Sequence, residues 1–162
     1  MLAIEHLSFS FGEKLGFTNY CQNALNPQAK RMPRRSIIRE LKKIYKEEKT
    51  NLITYFSIID KNYSICSDIW SDKWQVHSYM GITCHWIDND WLLQKRLIVF
   101  RVFNERHTAN NISRMINTVL DEYGLCKKIF SIGFDNAAAN TSSINDLKSF
   151  CEPMIGGNFF HI

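Results

Sequence analysis

The stretch IFSIGFDNAAANTS, Ile129 to Ser142, decides how the chain is read. An apolar, β-branched and aromatic run ends on a single carboxylate, Asp135, and gives way at once to small and amide residues. A short apolar run that stops at a helix-start signal reads as a buried strand feeding a helix. That helix is expected from about Asn136 to Phe150, with Ile144, Leu147 and Phe150 apolar, and the closing GGNFFHI reads as the opening of another strand.

Upstream, YSICSDIW from Tyr63 is a first strand. SYMGITCHWI and WLLQKRLIVFRVF flank the turn residues Asp88, Asn89 and Asp90 and read as an antiparallel hairpin. Thr108 is placed to cap a helix with Ile112, Met115, Ile116, Val119, Leu120 and Tyr123 on one face, and Gly124 stands where a left-handed C-terminal residue is wanted. The order from Tyr63 is β-β-β-α-β-α-β, an α/β domain in which a helical crossover delivers a parallel strand. Residues 1–60 read differently. FTNYCQNALNPQ suggests a small helix that stops before Asn26-Pro27, and Ser36 caps a long helix carrying Ile37, Leu41, Ile44, Leu52, Tyr55, Phe56 and Ile59, with a break expected near Thr50-Asn51. The expected organisation is a helical, basic arm over 1–60 followed by the α/β domain over 61–162.

Composition narrows the function classes. Hydrophobic residues make up 45% of the 162 and aromatic residues 13%, with only seven Gly and three Pro, which excludes a disordered or low-complexity chain. The apolar runs fall far short of the roughly 20 residues that span a bilayer, and no basic-then-apolar leader opens the sequence, so no membrane partner is expected. Five scattered cysteines never form a Cys-x-x-Cys pair, and the histidines lack ligand spacing, so no zinc is expected and the tryptophans Trp70, Trp74, Trp86 and Trp91 are assigned to core packing. The net charge of +4 hides an asymmetry: Lys30, Arg31, Arg34, Arg35, Arg39, Lys42, Lys43 and Lys46 face the single acid Glu40, a local balance of +7 that leaves −3 for the rest. Such a segment is either a solvated helix face or a phosphate contact.

Two aspartates hold matching places. Asp68 ends the first strand and Asp135 the fourth; if those strands are parallel neighbours, both carboxylates project from one edge of the sheet, where open α/β sheets take ligands. Two such charges close together repel unless a cation lies between them. Paired hard oxygens suit Mg²⁺ or Mn²⁺, the ions of phosphoryl transfer. Local sequence leaves a plainer alternative open, in which Asp135 caps the following helix and Asp68 pairs with Lys73 or a backbone donor.

The run from Ser67 to Leu125, followed by KIFSIGFDNAAANTSSINDL and GGNFFHI, resembles the central part of plant hAT-superfamily DNA transposases, the group that includes zinc finger BED domain proteins and domesticated transposases. The helical segment before it resembles the lead-in to the same catalytic domain. The resemblance implies an RNase H-like fold and a DDE-type site whose first acid is Asp68 and whose second is Asp135, with Mg²⁺ or Mn²⁺, DNA as partner, Lys30, Arg31, Arg34, Arg35, Arg39, Lys42 and Lys43 as DNA contacts, and a nuclear location. Members of the family carry a BED zinc finger before this region, and after it a Cys-x-x-His element, a helical insertion and the third catalytic glutamate. None of these is found between Met1 and Ile162, and Glu152 precedes Pro153 in a loop-like context. The expectation is a partial RNase H-like fold in a truncated or domesticated fragment, which binds metal weakly or not at all and is inactive alone in DNA cleavage. A homo-oligomer or a full-length relative is a possible partner, and a non-catalytic nuclear interaction module is the alternative reading.

Overall fold

The computed structural model describes residues 5–72, 77–134, 146 and 147. The chain divides into two compact units, Met1–Asn51 and Leu52–Ile162.

In the first unit, a 3₁₀ turn (Phe11–Glu13) leads into α1 (Leu15–Tyr20), which loosens into a π-helical turn (Cys21–Leu25) and ends where Asn26 becomes extended. The stop before Asn26-Pro27 is where the sequence places it. Gly12 is required by close approach: a Cβ there would lie 2.9 Å from the Met32 carbonyl oxygen and 3.1 Å from Ile37 Cδ1. Ile37 is the buried residue of this part of α2 (Arg34–Ile58). The helix starts earlier than a Ser36 cap requires. The Pro33 carbonyl accepts from the N–H groups of Ser36 and Ile37, and Glu13 Oε1, 21 positions away, accepts from Arg34 N–H at 2.8 Å. A carboxylate satisfies a first-turn donor and the positive end of the helix together, a long-range cap that local sequence does not reveal. Nor does the helix break at Thr50-Asn51. The Thr50 hydroxyl donates to the Lys46 carbonyl at 3.0 Å, which lets this residue stay in the helix.

The second unit is built on a four-stranded mixed sheet of order β3-β2-β1-β4, comprising β1 (Tyr63–Ser71), β2 (Ser78–Ile87), β3 (Leu93–Val102) and β4 (Ile129–Phe134). The first three strands form an antiparallel meander, and α3 (Ala109–Tyr123) crosses over to bring β4 parallel to β1. The β-β-β-α-β order is as the sequence indicates. Of the second expected helix, Asp146 and Leu147 are described; both are helical and Leu147 is buried in the core. The final expected strand lies outside the described residues.

Local chemistry fixes each boundary. Asp88 Oδ1 accepts from the N–H groups of Asp90 and Leu92, both at 2.9 Å, while Oδ2 accepts from Gln94 Nε2, closing the β2–β3 hairpin. The Leu92 N–H foremost holds the Asp88 carboxyl below its ordinary range. Thr108 caps α3 by accepting from Asn111 N–H, and Gly124 ends it at φ +66°, in the left-handed region that only glycine adopts cheaply.

One face of the sheet is the core side. Ile65, Met80, Ile82, Cys84, Trp86, Val99, Ile132 and Phe134 meet Ile112, Ile116, Val119 and Leu120 of α3 and the end of α2. Phe56 is fully buried among Tyr63, Trp86 and Tyr123, with ring centroids at 4.9, 5.5 and 6.2 Å. Trp86 Nε1 donates to the Tyr55 hydroxyl at 3.0 Å, so the indole is buried with its polar atom satisfied. The assignment of the tryptophans to the core is corrected: of those described, only Trp86 is buried. Trp91 is 87% exposed because it takes φ +60° in the hairpin turn, and Trp70 lies on the opposite face of the sheet. Trp74 lies outside the described residues.

Lys128 joins three elements of this unit. Its ammonium donates to the carbonyls of Phe56 (2.7 Å) and Ile59 (3.1 Å) at the end of α2, and its own carbonyl accepts from Tyr63 N–H at 2.9 Å as β1 begins. A cation on unsatisfied C-terminal carbonyls gains both hydrogen bonds and the helix dipole. We predict that Lys128→Met destabilises the domain by about 2–3 kcal/mol, the scale of charged hydrogen bonds lost from a part-buried site, read as a lower urea midpoint at unchanged slope. A second expectation concerns pH. Burial pushes the Cys84 thiol and the Tyr63 hydroxyl each up to about 12. Raised values favour the neutral forms in the folded state, so their stability contribution is complete below the unfolded values and is lost as pH climbs from about 9 to about 12. Urea unfolding across that range is expected to show falling stability, and Cys84→Val to blunt the fall.

Candidate functional site

Strand β1 alternates cleanly. Ile65 and Ser67 are buried, whereas Cys66, Asp68 and Trp70 are exposed on the outer face. Asp68 does not end the strand, as the sequence suggested: β1 continues paired with β2 as far as Ser71↔Ser78. What Asp68 follows is the described pairing with β4, which runs Ser64↔Ser131, Ile65↔Ile132, Cys66↔Gly133 and Ser67↔Phe134. The last pair consists of the residues immediately before Asp68 and Asp135. Asp135 itself lies outside the described residues.

The surroundings of Asp68 are open. Its register partner on β2 is Gly81, and among the described residues no hydrogen bond or ion pair engages its carboxylate. Glycine at 81 has a packing reason. A Cβ there would come within 3.2 Å of Trp70 Cζ3, because the Trp70 indole lies across the glycine. That ring belongs to an aromatic set with Phe100 (5.6 Å) and Tyr79 (6.2 Å), and Tyr79 stacks on Phe100 at an interplanar angle of 20°. On the other side, Gly133 makes room for Cys66, whose Sγ would lie 3.3 Å from a Cβ at that position. Glycines at 81 and 133 therefore flank the strand that carries Asp68. The sequence reading passed over both, although a glycine inside a strand is itself a signal of close approach.

Beneath Asp68, Ser67 is buried and its hydroxyl has no partner among the described residues. Farther along the outer face, the Thr83 hydroxyl and His85 Nε2 are 2.9 Å apart, and burial, then Lys95, lowers the His85 pKa. Among the described residues no group of three His, Cys, Asp or Glu side chains is arranged to hold a metal ion. Cys21, Cys66, Cys84 and Cys126 are free thiols. No described helix is long and apolar enough to cross a membrane.

The basic residues lie in the first unit. Lys30, Arg31, Arg34, Arg35, Arg39, Lys42 and Lys43 are all exposed, and a shallow groove on α2 is lined by Arg35, Ile38, Arg39, Lys42, Lys43 and Lys46. Arg35, Arg39, Lys42 and Lys46 recur at helical spacing over 11 positions, a cationic stripe about 16 Å long at 1.5 Å per residue. Two surface acids temper it: Arg39 contacts Glu40, and Lys43 contacts Glu47. These cations belong to the first unit and Asp68 to the second.

The ZBED1 RNase-like domain matches residues 66–154, more than half of the chain, over the strands and helix that carry this edge. The chain belongs to the hAT transposase family. It is 33% identical over 124 residues to the AC transposase of Zea mays, an alignment covering 74% of the chain and 15% of that protein. Zinc finger BED domain-containing protein RICESLEEPER 3 of Oryza sativa subsp. japonica is 25% identical over 136 residues, 84% of the chain and 18% of its own length. DAYSLEEPER of Arabidopsis thaliana, another zinc finger BED domain-containing protein, is 28% identical over 107 residues, 66% of the chain and 15% of its own length. The chain thus spans less than a fifth of these relatives. Its mixed sheet with a helical crossover is the N-terminal part of an RNase H-like fold, derived from a hAT transposase.

The Gly81–Trp70 contact gives this face a simple probe. Gly81→Ala is expected to displace the indole at a cost of roughly 1–3 kcal/mol, seen as a shift in near-ultraviolet circular dichroism with the strand pairing retained.

Proposed function

We propose that this hAT-derived chain is a nuclear DNA-binding protein that contributes two acids, Asp68 and Asp135, to a metal-dependent phosphoryl-transfer site and does not cut DNA by itself. The observation that carries the reading is the parallel β1–β4 register, whose last described pair, Ser67↔Phe134, immediately precedes both aspartates. Asp68 fits a hard cation: it is exposed and unengaged among the described residues. Asp68 and Asp135 are the residues that would hold Mg²⁺ or Mn²⁺. When bound, such an ion supplies Lewis-acid stabilisation of charge at phosphate oxygens. The chain's own part is to supply the carboxylate oxygens of Asp68 and Asp135, while Lys30, Arg31, Arg34, Arg35, Arg39, Lys42 and Lys43 contact the phosphate backbone.

The alternative of a non-catalytic interaction module is favoured by a separate observation: among the described strands, β3 pairs with β2 on one side and with none on the other.

A Mg²⁺ titration followed by NMR or calorimetry tests the acids. Binding is expected to disappear in Asp68→Asn and in Asp135→Asn, and binding indifferent to both substitutions would sink the metal reading. For DNA, affinity is expected to fall steeply with salt, and neutralising Arg34, Arg35 and Arg39 together should reduce the log–log slope by about 3. Mg²⁺-dependent strand cleavage by the isolated chain would contradict the inactivity claimed for it.

A further inference from the structure

Strand β3 is an edge. It pairs with β2 on one side, and among the described residues no strand pairs with its other side, where alternate residues between Leu93 and Val102 present their N–H and C=O groups. Its outer-face side chains Leu93, Leu97, Phe100 and Val102 are 49–68% exposed. The strand carries Lys95, Arg96 and Arg101 and no acid. Arg101 is held by Glu122 of α3, whereas Lys95 and Arg96 are exposed and in no ion pair among the described residues.

These features choose among occupants. A second copy pairing on the same edge would bring Lys95 and Arg96 of both copies onto one ladder, so the charges that blunt self-association leave the edge open to the opposite sign. We propose that β3 is a docking edge for an extended polypeptide segment that adds a fifth strand antiparallel to it. This segment carries apolar side chains opposite Leu97, Phe100 and Val102 and two consecutive carboxylates opposite Arg96 and Lys95. Backbone pairing supplies affinity, and the carboxylate pair with its apolar neighbours supplies register. The bulge between the Ile82 and Thr83 pairings leaves Ile98 as the extra residue of β3, and so puts Leu97, three positions from Phe100, on the same face as Phe100 and Val102.

The probe is an eight-residue peptide that alternates threonine and valine over six positions, threonine first, and ends in two glutamates, added to the full chain. It is expected to slow amide hydrogen exchange across Leu93–Val102. Replacing its glutamates by lysines should weaken binding roughly five- to tenfold, and the exposed double substitution Lys95→Glu, Arg96→Glu should reverse that preference. Methylating alternate peptide nitrogens should abolish binding without touching the protein. Equal binding of both peptides or protection of a different strand would overturn the proposal. So would self-association of the chain through β3, or duplex DNA protecting these same amides.

Discussion

The parallel pairing of β1 and β4 is the constraint on which the rest of the α/β unit hangs, and Lys128 holds its starting point. The ammonium satisfies two carbonyls at the end of α2, and the carbonyl of the same residue accepts the first N–H of β1. One residue thereby fixes the spacing between the close of a helix and the first rung of a strand pair. Everything that matters on the outer face is counted from that rung. The register places Cys66 beside Gly133 and Ser67 beside Phe134, and alternation along β1 then puts Asp68 outward.

Much of this was legible in the residues. The periodicity of Ile112, Ile116, Val119 and Tyr123, the cap at Thr108 and the glycine at 124 specify α3 locally, and the structure adds little to them. The hairpin could be read because Asp88 encodes its own turn through three hydrogen bonds. What stayed hidden depended on distant partners. Glu13 caps a helix that begins 21 positions later, so Ser36, the obvious local cap, was the wrong one. Trp70 and Trp86 look alike in sequence, yet alternation sends one to solvent and the other into the Phe56 cluster.

The candidate site was legible to a different degree. Asp68 stands out as the one charged residue of β1, and it is exposed, with no hydrogen bond or ion pair among the described residues. Its position six residues into β1, rather than at the strand end, reflects β2 pairing that continues beyond it. The two glycines that flank its strand carry no charge and no chemistry of their own, so a search for reactive side chains passes over them. Their contribution is steric: they let an indole and a thiol lie flat where a methyl group would collide.

The same β1–β4 pairing also orders events in time. Ser71 and Ser78 meet across β1 and β2 from seven positions apart, whereas Ser64 and Ser131 meet across β1 and β4 from 67. Closing the longer loop costs roughly 2 kcal/mol more in chain entropy, and that cost falls before any contact repays it. The meander can therefore assemble from local contacts, while the β1–β4 edge waits for the crossover helix to find its place. By this ordering the β1–β4 pairing closes after the meander, and weakening the crossover would release it before the hairpins come apart.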